Sequence, residues 1–228
     1  MKPIITFVLG GLLLAAPATT TAAESLNAVL ARMDKNAESF QGMTAELTQI
    51  NHTEVIDENE TQNATVRMKR TKAGIVGRVD FTGANSKILG IRDRQLQVFY
   101  PKSNVVELYD VGKFGEQLDQ FLLLGFSTSG KQLQRDYKVR LIGTETVAGQ
   151  TATHLELTPK TKQAQDIFKK ADVWLAADAT HPLKEKIHKN GQDYTLITYT
   201  GVKLNPSLSD KDLELVLPPG VKKVTPQK

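Results

Sequence analysis

In Phe40-Gln41-Gly42-Met43-Thr44-Ala45-Glu46-Leu47-Thr48-Gln49-Ile50 the spacing of apolar residues changes period. Upstream, Leu26, Val29, Leu30, Met33, Ala37 and Phe40 recur at helical intervals, with Ser25 as N-cap and Gly42 as a stop. From Gly42 onward apolar and polar residues alternate, which is the period of a strand with two unlike faces. Thr44–Ile50, Ala64–Arg70, Ile75–Phe81, Lys87–Ile91, Leu96–Tyr100 and Val105–Tyr109 read as strands. Turn signals part them at Asp57-Glu58-Asn59, Lys72-Ala73-Gly74, Thr82-Gly83-Ala84-Asn85, Asp93-Arg94 and Pro101-Lys102-Ser103-Asn104. Short strands in succession with tight connections argue an antiparallel meander.

The pattern then breaks. Phe114, Leu118, Phe121 and Leu122 sit at helical spacing, and a second short helix is expected over Gly130 to Arg135. Strands resume at Tyr137–Val147 and Ala152–Thr158, and a short helix is expected between Pro159 and Lys170. Asp172–Ala176, Leu183–His188 and Tyr194–Val202 follow, with Asn190-Gly191 as a two-residue hairpin signal, and Leu213–Leu217 closes the series before Pro218-Pro219-Gly220. The expected fold is α+β: one large curved antiparallel sheet of about eleven strands, an unclosed barrel with helices lidding its concave face. Two apolar sets then face inward as candidate cavity lining, Leu26, Val29, Leu30, Met33 and Phe40 from the first helix and Phe114, Leu118, Phe121 and Leu122 from the central segment. They fit a solid core and a lidded hollow equally, and the sequence does not separate the two.

The chain begins with Lys2, an apolar run Ile4 to Ala16, and small residues ending Thr21-Ala22-Ala23. These are the three regions of a secretory signal peptide, so residues 1–23 are expected to be removed and 24–228 to form one exported domain. With zero Cys the domain has no disulfides, and Glu24 stands where a lipoprotein would have its acylated Cys. An unanchored protein resting on its own hydrophobic core is expected. The net charge of +4 is mild and the bases are scattered along strands, which argues against nucleic acid as partner.

No catalytic pattern emerges. There is no Gly-x-Ser-x-Gly elbow, and Gly125-Phe126-Ser127-Thr128-Ser129-Gly130 reads as a loop between helices. The four His (His52, His154, His181 and His188) form no His-Glu-x-x-His pattern and are expected to be exposed or locally bonded. No phosphate loop or dinucleotide fingerprint is present, so neither a cofactor nor a metal is expected. Paired carboxylates can converge in space without a sequence mark. With one Trp, Trp174, and 6% aromatics, a sugar-binding groove has little support. The chain reads as a binding protein and not an enzyme.

Several pieces, in order, resemble the LolA family of periplasmic lipoprotein carriers. Met33-Asp34-Lys35 through Ser39-Phe40 and Ala45-Glu46-Leu47-Thr48-Gln49 resemble that family's helix end and first strand. Val66-Arg67-Met68-Lys69-Arg70 resembles its strand ending in Lys-Arg-Pro, with Thr71 in place of the Pro. Leu96-Gln97-Val98-Phe99-Tyr100-Pro101, Leu155-Glu156-Leu157-Thr158-Pro159-Lys160 and Leu215-Val216-Leu217-Pro218-Pro219-Gly220-Val221 resemble later strand ends and the closing tail. The resemblance implies a monomeric periplasmic carrier whose cavity holds the acyl chains of a lipoprotein or other lipid. It would load from an inner-membrane donor and deliver to an outer-membrane acceptor, and Arg70 would latch the lid. The alternative is a lipid- or lipoprotein-sensing regulator on the same scaffold, resembling RseB, whose family carries a second C-terminal domain.

Overall fold

The computed structural model describes residues 24–93, 95–110 and 124–226. The expected signal segment, and the expected lining residues Phe114, Leu118, Phe121 and Leu122, lie outside the described residues. In chain order the elements are α1 (Leu26–Ser39), β1 (Gly42–Thr53), a 3₁₀ turn (Glu54–Ile56), β2 (Glu58–Thr71), β3 (Gly74–Thr82), β4 (Lys87–Arg92), β5 (Gln95–Tyr100) and β6 (Val105–Asp110). There follow α2 (Gly130–Asp136), β7 (Tyr137–Val147), β8 (Gln150–Pro159), α3 (Lys162–Ile167), β9 (Lys170–Ala176), β10 (Pro182–His188), β11 (Tyr194–Leu204), α4 (Asp210–Leu213) and β12 (Lys222–Val224).

The strands form one twelve-stranded sheet in the order β12-β6-β5-β4-β3-β2-β1-β11-β10-β9-β8-β7. Two meanders, β1–β6 and β7–β11, meet where β1 pairs with β11, and every neighbour pair is antiparallel except β12 with β6. The ends, β7 and β12, do not meet, so the barrel is unclosed. Register shifts in β1 at Thr44/Glu46, β7 at Leu141/Gly143 and β10 at Pro182/Lys184 mark bulges, which bend strands and increase twist.

Three expectations are corrected. Leu213–Leu217 is not a strand: Ser209 and Asp212 form a capping box that opens a helical turn there. The alternation of Leu213, Leu215 and Leu217 is real, but it reports an extended segment packed on the sheet's outer face. Leu215 lies over Gly90, and the Glu214 carbonyl accepts from Arg78 Nη1 at 2.8 Å. The edge strand is Lys222–Val224 instead, parallel to β6. Second, α4 therefore lies on the outer face, so not every helix lids the concave one. Third, Gly42 is no helix stop but the first residue of β1, where a Cβ would meet the Met68 carbonyl at 2.5 Å. In addition, the connection around Asn190-Gly191 spans five residues, closed by Lys189 N donating to Asp193 O at 2.9 Å.

Candidate functional site

On the concave face α1 is placed by its own sequence. Ser25 Oγ accepts from Ala28 N at 3.2 Å, and Val29, Leu30, Met33 and Ala37 face the sheet. Asn205, just past the end of β11, ties down the other end: its Oδ1 accepts from Gln41 N at 2.7 Å and its Nδ2 donates to Ser39 O at 2.9 Å. Of the expected lining, Val29, Leu30 and Met33 are buried in a close-packed cluster with Leu133 of α2, Leu155 and Leu157 of β8, Val173 and Leu175 of β9, and Ile187 of β10. Leu26 packs at its edge. Phe40 belongs to a second cluster with Met43, Ala45 and Leu47 of β1, Val66 and Met68 of β2, and Val79 and Phe81 of β3. Ile197 of β11 packs against both clusters and joins them.

The clusters are covered differently. Helical side chains fill the first. Among the members of the second, only Phe40 and Phe126 come from off the sheet, and the apolar face runs on to half-buried Leu89 of β4. Arg70 of β2 reaches across this margin. Its guanidinium donates to the Ala37 carbonyl of α1 at 2.8 Å and to the Ser127 carbonyl at 3.4 Å, with Phe40 beneath it at 5.5 Å. It thus bridges the sheet, α1 and the segment leading into α2.

Along β1 the concave face changes character. Met43, Ala45 and Leu47 sit opposite Met68, Val66 and Ala64, whereas the next two inward positions, Gln49 and Asn51, sit opposite Gln62 and Glu60. On the β11 side Asn51 sits opposite Thr195, whose Oγ1 donates to Asn51 Oδ1 at 2.9 Å. At this boundary, on β10, lies Glu185, 3% exposed. Tyr199 of β11 donates to its Oε2 at 3.2 Å, and its Oε1 has no partner. Burial pushes the Glu185 carboxyl up to about 8 against the opposing pull of the Tyr199 hydrogen bond, and burial raises Tyr199 as well. Tyr199 in turn meets the Phe126 ring edge-on at 5.1 Å.

The sheet's outer face gathers two histidines that the sequence keeps apart. Asp172 accepts from His188 at 2.7 Å and pairs with His154 at 3.0 Å, while Glu145 holds the other nitrogen of His154 at 2.6 Å and accepts from Trp174 at 2.7 Å. Burial opposes the charge on Asp172, but these hydrogen bonds hold its pKa below the usual range. The network braces β7 to β10, with His154 stacked on Trp174. His52 and His181 are bonded locally, to Glu54 and Asn59 and to Thr180. Among the described residues no group of three or more His, Asp or Glu could hold a metal ion, and no helix is long and apolar enough to cross a membrane. A cleft of about 210 Å³ opens on the outer face between Gly90, Gln97 and Leu215.

No family model matches the sequence, and no curated protein matches it. Solved structures do match. An uncharacterized conserved protein from Thermus thermophilus superposes with TM-score 0.58 at 13% identity, over 89% of this chain and 100% of that one. MucB superposes with TM-score 0.53 at 16% identity, over 88% of this chain and 65% of that one, and in its complex with MucA from Pseudomonas aeruginosa with TM-score 0.50. This chain therefore spans less than two thirds of MucB. A LolA superfamily protein from Nitrosomonas europaea is matched at TM-score 0.41 and 13% identity, over 85% of this chain and 99% of that one. With the Thermus thermophilus protein and MucB the fold is what is shared at such identities, and one large unclosed antiparallel sheet is what the sequence resemblance implied.

Proposed function

We propose that this chain is a periplasmic carrier that holds the acyl chains of lipoproteins or other lipids on the concave face of its sheet, for transfer to the outer membrane. The observation that carries this reading is the unequal cover of that face: its second apolar cluster takes only Phe40 and Phe126 from off the sheet among the described residues. Each buried CH₂ of a ligand contributes about 0.8 kcal/mol, so a long chain supplies ample affinity without chemistry. No catalytic step is part of the proposal. Purified, delipidated protein should take up a fluorescent acyl probe, and Leu89→Glu should weaken uptake at least tenfold, because an unpaired carboxylate beside the apolar cluster that Leu89 packs on is costly; the carrier reading assigns the same effect to Leu122→Glu. Uptake unchanged in both variants would overturn the reading.

Arg70 is the latch in this scheme. Two bonds from a charged donor contribute on the order of 1–3 kcal/mol, less where solvent reaches them. Arg70→Ala should speed probe uptake severalfold while moving the melting temperature by only a few degrees. An unchanged uptake rate would remove the latch.

The likeness to MucB, solved in complex with MucA, favours a second reading, a lipid- or lipoprotein-sensing regulator that binds a protein partner. Mass spectrometry of what co-purifies from the periplasm separates the two: acylated cargo supports the carrier, and a protein partner without cargo supports the regulator.

A further inference from the structure

We propose that Glu185, held by Tyr199 at the boundary between the apolar and polar ends of the concave face, receives the carbonyl group at the head of a bound acyl chain. The trough then selects acyl esters and amides over plain hydrocarbon. This rests on the acyl-binding reading above and names the ligand class of the same site.

The row of side chains across the sheet at this level runs Val173, Glu185, Ile197, Gln49, Gln62. Below it the inward positions of β1 and β2 are apolar for three successive rows, about 20 Å at roughly 3.3 Å per residue. Above it stand Asn51 of β1, Glu60 of β2 and Thr195 of β11. An amphiphile lying in this trough has one orientation that matches polarity, with its tail toward Met43 and Met68 and its head linkage at Glu185.

Two buried oxygens of this row lack partners, Glu185 Oε1 and Gln62 Oε1. The Gln62 amide is oriented by Nε2, which donates to Glu60 at 2.9 Å. A buried polar atom left unpaired costs about 1–3 kcal/mol, so a ligand that pairs with it recovers that amount. Since the acid is neutral at pH 7 and Oε2 already accepts from Tyr199, Oε1 carries the hydroxyl, a donor whose complement is a carbonyl oxygen. Tyr199 is the titratable group that acts on it. Lys184 and Lys186 stand over Trp174 and Tyr194 and Asp172 pairs with the histidines, all on the outer face, while α1 presents Val29, Leu30 and Met33 to the adjoining cluster.

The test compares a pyrene-labelled alkane with a pyrene-labelled methyl ester and a methyl amide of equal chain length. Wild-type protein should bind the ester and the amide at least tenfold tighter than the alkane. Glu185→Leu should erase that preference, so that ester, amide and alkane bind alike. Glu185→Gln, whose amide still donates, should keep most of it. Raising pH from 6 to 9 should weaken the preference in wild type but not in Glu185→Gln. Ester without amide, or the reverse, identifies which linkage is taken. A preference that survives in Glu185→Leu, or alkane bound as well as ester by wild type, overturns this inference while the carrier reading stands. Failure of all three probes to bind overturns both.

Discussion

Glu185→Gln is expected to flatten the pH dependence of folding stability between pH 5 and pH 8. In the folded protein the Glu185 carboxyl keeps its proton until about pH 8, because burial raises it from an ordinary 4.5. The unfolded chain releases that proton near its ordinary value. Across the interval the native state therefore binds one more proton than the unfolded state, and stability falls as pH rises, by about 1.4 kcal/mol per pH unit. The contribution is fully present below the unfolded value and is lost as pH passes the folded one. Integrated from pH 5 to pH 8 it is on the order of 4 kcal/mol, an upper figure because water penetration and relaxation soften buried charges. The amide variant does not titrate. It should be close to wild type, or somewhat weaker, at pH 5, and clearly more stable at pH 8. Urea midpoints at pH 5, 6.5 and 8 measure this. Asp172, Glu145 and Glu156, whose pKa values are lowered, add slopes of opposite sign at acid pH. Those slopes are common to both proteins and cancel in the difference. Parallel stability curves would mean that Glu185 is hydrated and ionised in the folded state, and the neutral donor invoked for ligand recognition would fail with it.

The architecture was legible where hydrophobic period is local. The switch at Gly42 separates α1 from β1, Ser25 caps as expected, and the expected break between β4 and β5 falls where Arg92 pairs with Gln95. What misled was one signal with two causes. Leu213, Leu215 and Leu217 alternate because one side of an extended chain rests on a sheet, and alternation is equally satisfied by a ladder or by a face. The strap's helical turn and its course over Gly90 depend on contacts far away in sequence. The site was legible only in its apolar half. In Leu183-Lys184-Glu185-Lys186-Ile187, period two sets Glu185 on the same face as Ile187, an acid on an apolar stripe. That was the available signal, and it was masked by the lysines on either side, which make the segment read as a solvated face. Gln62 is likewise in phase with Ala64, Val66 and Met68, one step before the expected start of β2. The pairing of His154 and His188 through Asp172 has no sequence mark, since it is made by the order of β8, β9 and β10.

Gly130→Val should loosen the cover and so tests whether α1 and α2 are a lid or merely core. Gly130 opens α2 against α1, and a Cβ there would meet the Leu30 carbonyl oxygen at 2.4 Å and Leu30 Cβ at 2.7 Å. Both are far inside contact distance, and the first is backbone, so a side chain must part the two helices. Two polar ties lie at the same joint: Ser129 Oγ accepts from Gln132 N at 3.1 Å, and Asp34 Oδ1 accepts from Lys131 N at 3.1 Å. Overpacking of this kind costs about 1–3 kcal/mol, and loss of the cap adds about 1 kcal/mol. For a domain of this size each kcal/mol lowers the melting temperature by about 2–4 °C, so a fall of roughly 5–12 °C is expected. Leu133→Ala, in the same cluster, should lower it comparably by leaving a cavity, yet without wedging the helices apart. The two variants thus match in stability and differ in geometry. If the helices form the gate to the trough, acyl probe uptake should speed up in Gly130→Val well beyond its rate in Leu133→Ala. Equal rates at equal destabilisation would mean that entry follows general loosening of the fold. The gate would then have to lie at the Arg70 margin, where described side chains cover the sheet least.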